Sequence, residues 1–208
     1  MTTLSIERAP GDETASMRAP GRLCLWAGAL GVASGVFLAV VPPAVVEDRY
    51  SYPLTAVGFV LIQCWFVVQH LGLAVGLVGL RRSAAVGGRR VGVTAAIVGM
   101  GILTATELAA IGAARSTYPG PGTDLLDALY GISSVAIGIG LVGAGIAVLR
   151  TDIWRGWRRW LPLALGVYVF VPMFPAMFGG FVTARLAISG WMLLFALLGW
   201  ALTREGLA

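Results

Sequence analysis

The sequence predicts an all-α membrane protein, a bundle of six transmembrane helices with both termini in the cytoplasm. Of its 208 residues, 58% are hydrophobic and only 12% are charged, whereas soluble proteins contain about 25% charged residues. The hydrophobic residues fall into six runs of roughly 20, the length that an α-helix needs to cross the hydrocarbon core of a bilayer. The composition therefore excludes a soluble globular domain, and the number of runs predicts the fold.

The six predicted spans follow a polar N-terminal tail, residues 1–22. We expect this tail to be flexible, because its charges and two Ala-Pro pairs oppose burial in a packed structure. The first hydrophobic run is too long for the apolar part of a signal peptide, and two prolines end it. The transmembrane domain extends over residues 23–203 and a second short tail over 204–208. Its spans are predicted at residues 23–41, 54–80, 91–113, 125–149, 161–181 and 185–202.

The distribution of arginine predicts the orientation, because short loops rich in Arg or Lys stay on the cytoplasmic side of a membrane. All 15 basic residues are Arg, and twelve of them lie in the two tails, the second loop and the fourth loop. Only Arg49, Arg115 and Arg185 lie on the other side. We therefore expect a multi-pass protein of the cell (inner) membrane with both termini inside.

The segment of residues 154–160 combines three Trp with three Arg. Such a pattern could suggest a surface for nucleic acid, but Trp and Arg together at a helix end are typical of an anchor on anionic lipid. We therefore expect the lipid bilayer, and no nucleic acid, as the partner of this segment.

Several classes of chemistry are excluded by missing residues. The absence of Lys excludes Schiff-base enzymes and a P-loop. A single histidine, His70, excludes haem held by two histidines or zinc held by three within one chain. Asp124 and Asp127 could hold a divalent cation, but their place at the start of the fourth span favours capping of the helix. The sequence thus predicts no cofactor and no metal.

Glu107 is the most informative residue, because an ionisable group within a span is costly and commonly marks a functional site. At about 1.5 Å per residue, Glu107 and Gln63 lie about 24 and 25 Å from the inner ends of their spans. Ser133 and Ser134 lie at a similar depth, and Thr104 shares the face of Glu107. These residues predict a polar layer in the outer half of the bundle. Two roles are open for this polar layer. It binds a ligand, or it only joins the helices through a hydrogen bond between a protonated Glu107 and Gln63.

His70 lies on the same face of the second span as Gln63. By the same arithmetic it is separated from Glu107 by about 9 Å in depth, too far for a direct bond in untilted helices. A water or a tilt of the helices could span this distance, which permits a proton relay. The alternative is a neutral histidine that bonds a backbone carbonyl or Gln69.

Prolines and glycines give two further expectations. Pro172 and Pro175 predict a kink in the fifth span near residues 168–172, because each proline removes a backbone hydrogen bond. Such a kink either lines a binding site or serves packing alone.

The 29 glycines, several spaced four or seven residues apart, predict close helix packing, within the bundle or against a partner.

Three functions remain open. The first, which we favour, is a bundle that binds or conducts a small apolar or cationic molecule at the layer around Glu107. The second is an accessory or scaffold subunit whose glycine-rich faces pack against another membrane protein or a second copy. The third is a membrane-embedded enzyme that acts on a lipid-like substrate with His70 and Glu107 as acid and base. The lack of a recognisable nucleophile arrangement makes an enzyme the less favoured reading.

Overall fold

A computed structural model of the protein describes residues 10–205, whose regular secondary structure is helical throughout. Six helical segments are long and apolar enough to cross a membrane, as the sequence predicted. The fifth segment is composite: it contains α5, a π-helical turn at Val169–Met173 and the short α6. The helices are α1 (Pro10–Val40), α2 (Ala56–Arg82), α3 (Val91–Ile111), α4 (Pro121–Thr151), α5 (Leu161–Tyr168), α6 (Phe174–Ala176) and α7 (Phe181–Thr203).

The first helix begins earlier than the hydrophobic pattern indicated. Residues 10–22, which the sequence assigned to the flexible tail, belong to α1. This stretch contains Ala, Arg, Met and Glu, which have high helix propensity, so the helix continues beyond the run that is apolar enough to cross a membrane. The rest of the expected tails, residues 1–9 and 206–208, lies outside the described residues.

The spans form a closed ring in which each helix packs against its neighbours in the chain. The last helix, α7, returns to α1 and closes the ring, and α5 packs between α4 and α7. The side chains that point into the ring form one large apolar core with polar residues at a few positions.

Two contacts between neighbouring helices require glycine because the backbones approach closely. A Cβ on Gly28 of α1 would lie 2.7 Å from the carbonyl oxygen of Met192 in α7. A Cβ on Gly140 of α4 would lie 2.5 Å from the backbone nitrogen of Ala96 in α3. Gly131 of α4, in contrast, has no neighbouring atom within 4 Å of such a Cβ.

The predicted interruption of the fifth span is present. Regular α-helical geometry ends at Tyr168, and the next five residues, including Pro172, form a π-helical turn. Proline has no amide hydrogen to donate, so the hydrogen-bonding pattern shifts at this position. The helix then ends after Ala176, and Gly180 with a φ of 88° leads into α7.

The two ends of the bundle differ. At one end, residues 41–55 and 112–120 form a unit that we call the loop cap. Tyr118 donates its backbone N–H to Asp48 at 2.7 Å, and Tyr50 donates to Ser116 at 3.1 Å. An isolated antiparallel bridge joins Arg49 to Thr117. These bonds tie together segments that are distant in sequence.

The opposite end, residues 81–90 and 150–160, is the arginine-rich end. Thr151 donates its hydroxyl to the carbonyl of Ala85 at 2.6 Å and so joins the two segments. Trp157 and Trp160 are about half exposed, as an interfacial anchor requires, whereas Trp154 is buried. Trp157 stacks on Trp200 of α7 with 5.5 Å between the ring centroids.

Candidate functional site

A cluster of polar side chains lies inside the bundle between α2, α3 and α4, on the side of the loop cap. Glu107 belongs to the buried face of α3, and only 6% of its surface is exposed. Gln63 and His70 both lie on the buried face of α2, because seven residues correspond to almost two full helical turns. The helical periods of α2 and α3 thus direct three polar groups toward one interior space.

Gln63 and Glu107 form a closed set of three hydrogen bonds with a third side chain, that of Tyr130. The side-chain amide of Gln63 donates to Oε2 of Glu107 at 2.6 Å, and the hydroxyl of Tyr130 in α4 donates to the same oxygen at 2.8 Å. The amide of Gln63 also donates to the Tyr130 hydroxyl at 3.1 Å. The pairing of Gln63 with Glu107, which their equal depth predicted, is confirmed, and Tyr130 extends it to a third helix.

His70 lies much closer to Glu107 than the sequence indicated. Its Nδ1 is 3.8 Å from Oε1 of Glu107, whereas the depths of the two backbones differ by about 9 Å for untilted helices. The depth arithmetic did not include the direction of the side chains, which lean toward the N-terminus of their own helix. Since α2 and α3 run in opposite directions, these two side chains lean toward each other.

In the pair of His70 and Glu107, a buried ring nitrogen lacks a hydrogen-bond partner within residues 10–205. Nδ1 of His70 is enclosed and makes no hydrogen bond to any described residue. Because Oε2 of Glu107 already accepts two hydrogen bonds, Oε1 is the oxygen that is free to carry a proton. A proton on Oε1 faces Nδ1 across a gap slightly longer than a hydrogen bond.

The other predicted site residues lie elsewhere or bond their own helix. The Thr104 hydroxyl donates to the carbonyl of Met100, and the Ser133 hydroxyl donates to that of Tyr130. Ser134 is partly exposed, and Pro172 and Pro175 are exposed on the outside of the bundle. The structure therefore brings together Gln63, His70 and Glu107, but not the whole predicted set.

Tyr130 has a place in the site that sequence reasoning missed. An aromatic residue in a transmembrane run is usually counted as apolar, and its hydroxyl was overlooked. The signal was its position three residues before Ser133, which places it at nearly the same depth as Glu107.

Arg185 lies further inside its helix than the sequence indicated. The sequence placed it at the start of the last span, but α7 begins at Phe181 and so brings Arg185 one turn inside the helix. Its guanidinium lies 4.9 Å from the centre of the Phe181 ring. Within the described part of the chain, no ion pair within 4.0 Å joins Arg185 to Glu107.

The chain matches no protein-family model, no curated protein and no solved structure. The chemistry of the site itself is therefore the ground for a functional proposal.

The described residues contain no group of three His, Cys, Asp or Glu side chains that could hold a metal ion. The paired aspartates do not cap α4 as expected, because the helix begins at Pro121 and Gly120 takes the N-cap position. Asp124 lies in the first turn, where its charge suits the helix dipole. Asp127 accepts a hydrogen bond from the Tyr118 hydroxyl at 2.9 Å.

Two surface grooves lie away from the cluster. One, of about 550 Å³, is lined by apolar residues of α4 and by Phe174, and the other, of about 390 Å³, lies between α2 and the end of α3. Neither lining includes Gln63, His70 or Glu107.

Proposed function

We propose that this protein is a multi-pass protein of the cell (inner) membrane that binds and conducts protons at Glu107. It is thus a binding or permeation bundle for the smallest cation. We further propose that the arginine-rich end and both termini face the cytoplasm, in accord with the distribution of arginine. The loop cap then faces the opposite side.

One observation carries this proposal: Oε1 of Glu107 lies 3.8 Å from the unpartnered Nδ1 of His70. Two titratable groups that face each other within a bundle of apolar helices are costly to maintain, and such groups are typical of proton relays. A purely structural histidine would be expected to use its buried Nδ1 in a hydrogen bond, because unsatisfied buried polar atoms destabilise a fold.

The geometry supports a simple transfer step. An approach of roughly 1 Å brings Oε1 and Nδ1 within hydrogen-bond distance. The proton then leaves Oε1 for Nδ1, which converts a neutral acid and a neutral imidazole into a carboxylate and an imidazolium. The carboxylate keeps the hydrogen bonds from Gln63 and Tyr130 on Oε2. Hydrogen bonds to a charged oxygen are stronger than those to a neutral one, so both positioning residues stabilise the product.

The test is proton flux into liposomes that contain the purified protein and a pH-sensitive dye. A potassium gradient with valinomycin supplies the driving force. We expect the native protein to acidify the interior faster than empty liposomes do, Glu107→Gln to abolish this difference, and His70→Ala to reduce it strongly. The matched control is Glu47→Gln, which removes an exposed carboxylate of the loop cap. Native flux in Glu107→Gln, or no flux above that of empty liposomes in the native protein, overturns the proposal.

A second candidate, an accessory subunit, is favoured by one observation. The 550 Å³ groove on α4 is lined by Ala128, Gly131 and Ala136 among other apolar residues. Small residues on an outward face let another helix approach closely. Elution of the purified protein with a second membrane protein, lost in a Gly131→Leu variant, supports this candidate.

A further inference from the structure

Tyr118 of the loop cap and Asp127 of α4 form an exposed polar pair on the loop-cap side of the bundle. The two side chains are joined by the 2.9 Å hydrogen bond, and both are exposed. Asp127 lies three residues before Tyr130, so these two residues share one face of α4. The helix therefore places an exposed carboxylate directly above the hydroxyl that bonds Glu107.

Tyr50 of the loop cap packs beside Tyr118 and, together with Tyr130, against one cluster of buried residues around Phe59. Its ring packs against Tyr118 at 5.8 Å and against Phe59 of α2 at 5.7 Å between centroids. The titratable groups that influence its hydroxyl are Asp127 of α4, Glu107 of α3 and Arg185 of α7, together with the neutral Tyr118 of the loop cap.

Both tyrosines of the cap remain neutral hydroxyls. Burial, followed by the charges of Asp127 and Glu107, raises the pKa of Tyr50 well above its ordinary value. The hydrogen bond to Asp127, together with burial, raises the pKa of Tyr118. A neutral hydroxyl can accept one proton and release another, which is what a relay requires.

We infer that protons reach Glu107 from the loop cap through Asp127, Tyr118, Tyr50 and Tyr130. This inference rests on the proposed function. A proton from water binds the carboxylate of Asp127, and each hydroxyl that accepts a proton passes its own onward, so no hydroxyl changes its charge after the transfer. Waters bridge the steps that are longer than a hydrogen bond.

The experiment uses the same liposomes and compares two acidic residues of one helix. Asp127→Asn removes the surface acid of the route, and Asp124→Asn removes an equal charge one turn away. We expect Asp127→Asn to lower the initial proton flux by about tenfold or more, as the loss of a proton-transfer group does in acid–base catalysis. We expect Asp124→Asn to remain within about twofold of the native protein, because a charge at this exposed site acts on the flux only weakly.

Tyrosine variants provide the second arm. Tyr118→Phe and Tyr50→Phe each remove one hydroxyl and keep the ring, and both are expected to lower the flux. The control is Tyr52→Phe, whose ring packs on Phe181. Because Tyr118 is exposed, we expect Tyr118→Phe to fold. This variant therefore still tests the route if Asp127→Asn fails to fold.

The outcomes distinguish the route from the function. Loss of flux in Glu107→Gln with native flux in Asp127→Asn and both tyrosine variants overturns the route and leaves the proposed function standing. Native flux in Glu107→Gln overturns the proposed function. An equal loss of proton flux in Asp127→Asn and Asp124→Asn would show that the flux depends on surface charge, and it would also overturn the route.

Discussion

The side-chain amide of Gln63 and the hydroxyl of Tyr130 lie 3.1 Å apart and both donate to the same oxygen of Glu107. They come from α2 and α4, which flank α3 on opposite sides. One carboxyl oxygen therefore joins three helices, and this arrangement predicts how the fold responds to changes at Glu107.

Glu107→Gln is expected to fold with a free energy of unfolding close to that of the native protein, because its amide oxygen still accepts hydrogen bonds. Glu107→Leu leaves the donors of Gln63 and Tyr130 without an acceptor, and we expect it to lower the free energy of unfolding by about 1–3 kcal/mol. Unfolding in mixed detergent micelles measures both values. A Leu variant as stable as the native protein contradicts the prediction.

Two alanine substitutions in α4 test the glycine contacts. Gly140→Ala places a Cβ 2.5 Å from the backbone of Ala96, so α3 and α4 must separate, and we expect a loss of about 1–3 kcal/mol. Gly131→Ala has open space, and we expect it to stabilise the helix by about 0.5–1 kcal/mol. The same unfolding measurement compares them, and equal effects at both positions would show that the close approach is unimportant.

Glu205, which follows α7, predicts a pH dependence of stability. Burial raises the pKa of its carboxyl above the ordinary value of 4.5, and the polar groups of Ser83, Trp154 and the backbone at Ala84 and Ala85 offset this only in part. The folded state therefore binds the proton more tightly than the unfolded state. This contribution to stability is complete below about pH 4.5 and is lost as the pH rises through the raised value.

We therefore expect Glu205→Gln to melt at a higher temperature than the native protein at neutral pH. The difference should shrink as the pH falls toward 4.5, the ordinary value for this carboxyl. Thermal melting in detergent over a pH series provides the measurement, with Glu47→Gln as the exposed control. A constant difference at every pH contradicts the prediction.

The proposed orientation can be tested by cysteine labelling in cells. Gly88 at the arginine-rich end and Glu47 in the loop cap are both exposed. With the exposed Cys64 replaced by Ser, we expect Glu47→Cys to react with an impermeant maleimide in intact cells. Gly88→Cys is expected to react only after permeabilisation. The reverse pattern would place the termini outside.

The number of helices and the contact between Gln63 and Glu107 could be predicted from the sequence, because both follow from the rise per residue along a helix. The length of each hydrophobic run shows that it can form one span. The depth of a residue, counted along its helix, shows which residues of a neighbouring antiparallel helix lie at the same level. The position of Pro172 likewise predicted where α-helical geometry ends, since a missing donor is a local property.

Other features of the site depend on directions and neighbours that the depth arithmetic did not include. The direction of the side chains along antiparallel helices brought His70 close to Glu107. The loop cap adds Tyr50, whose place above the site follows from backbone bonds to a segment far along the chain.

The contact between α1 and α7 has a consequence for biogenesis. Helices are synthesised in the order of the chain, so α1 is made before α7, its principal partner. The face of α1 around Gly28, which only α7 covers, therefore stays uncovered until the final helix is made. A chain that stops before Phe181 never covers this face, and we expect it to be less stable than the full chain.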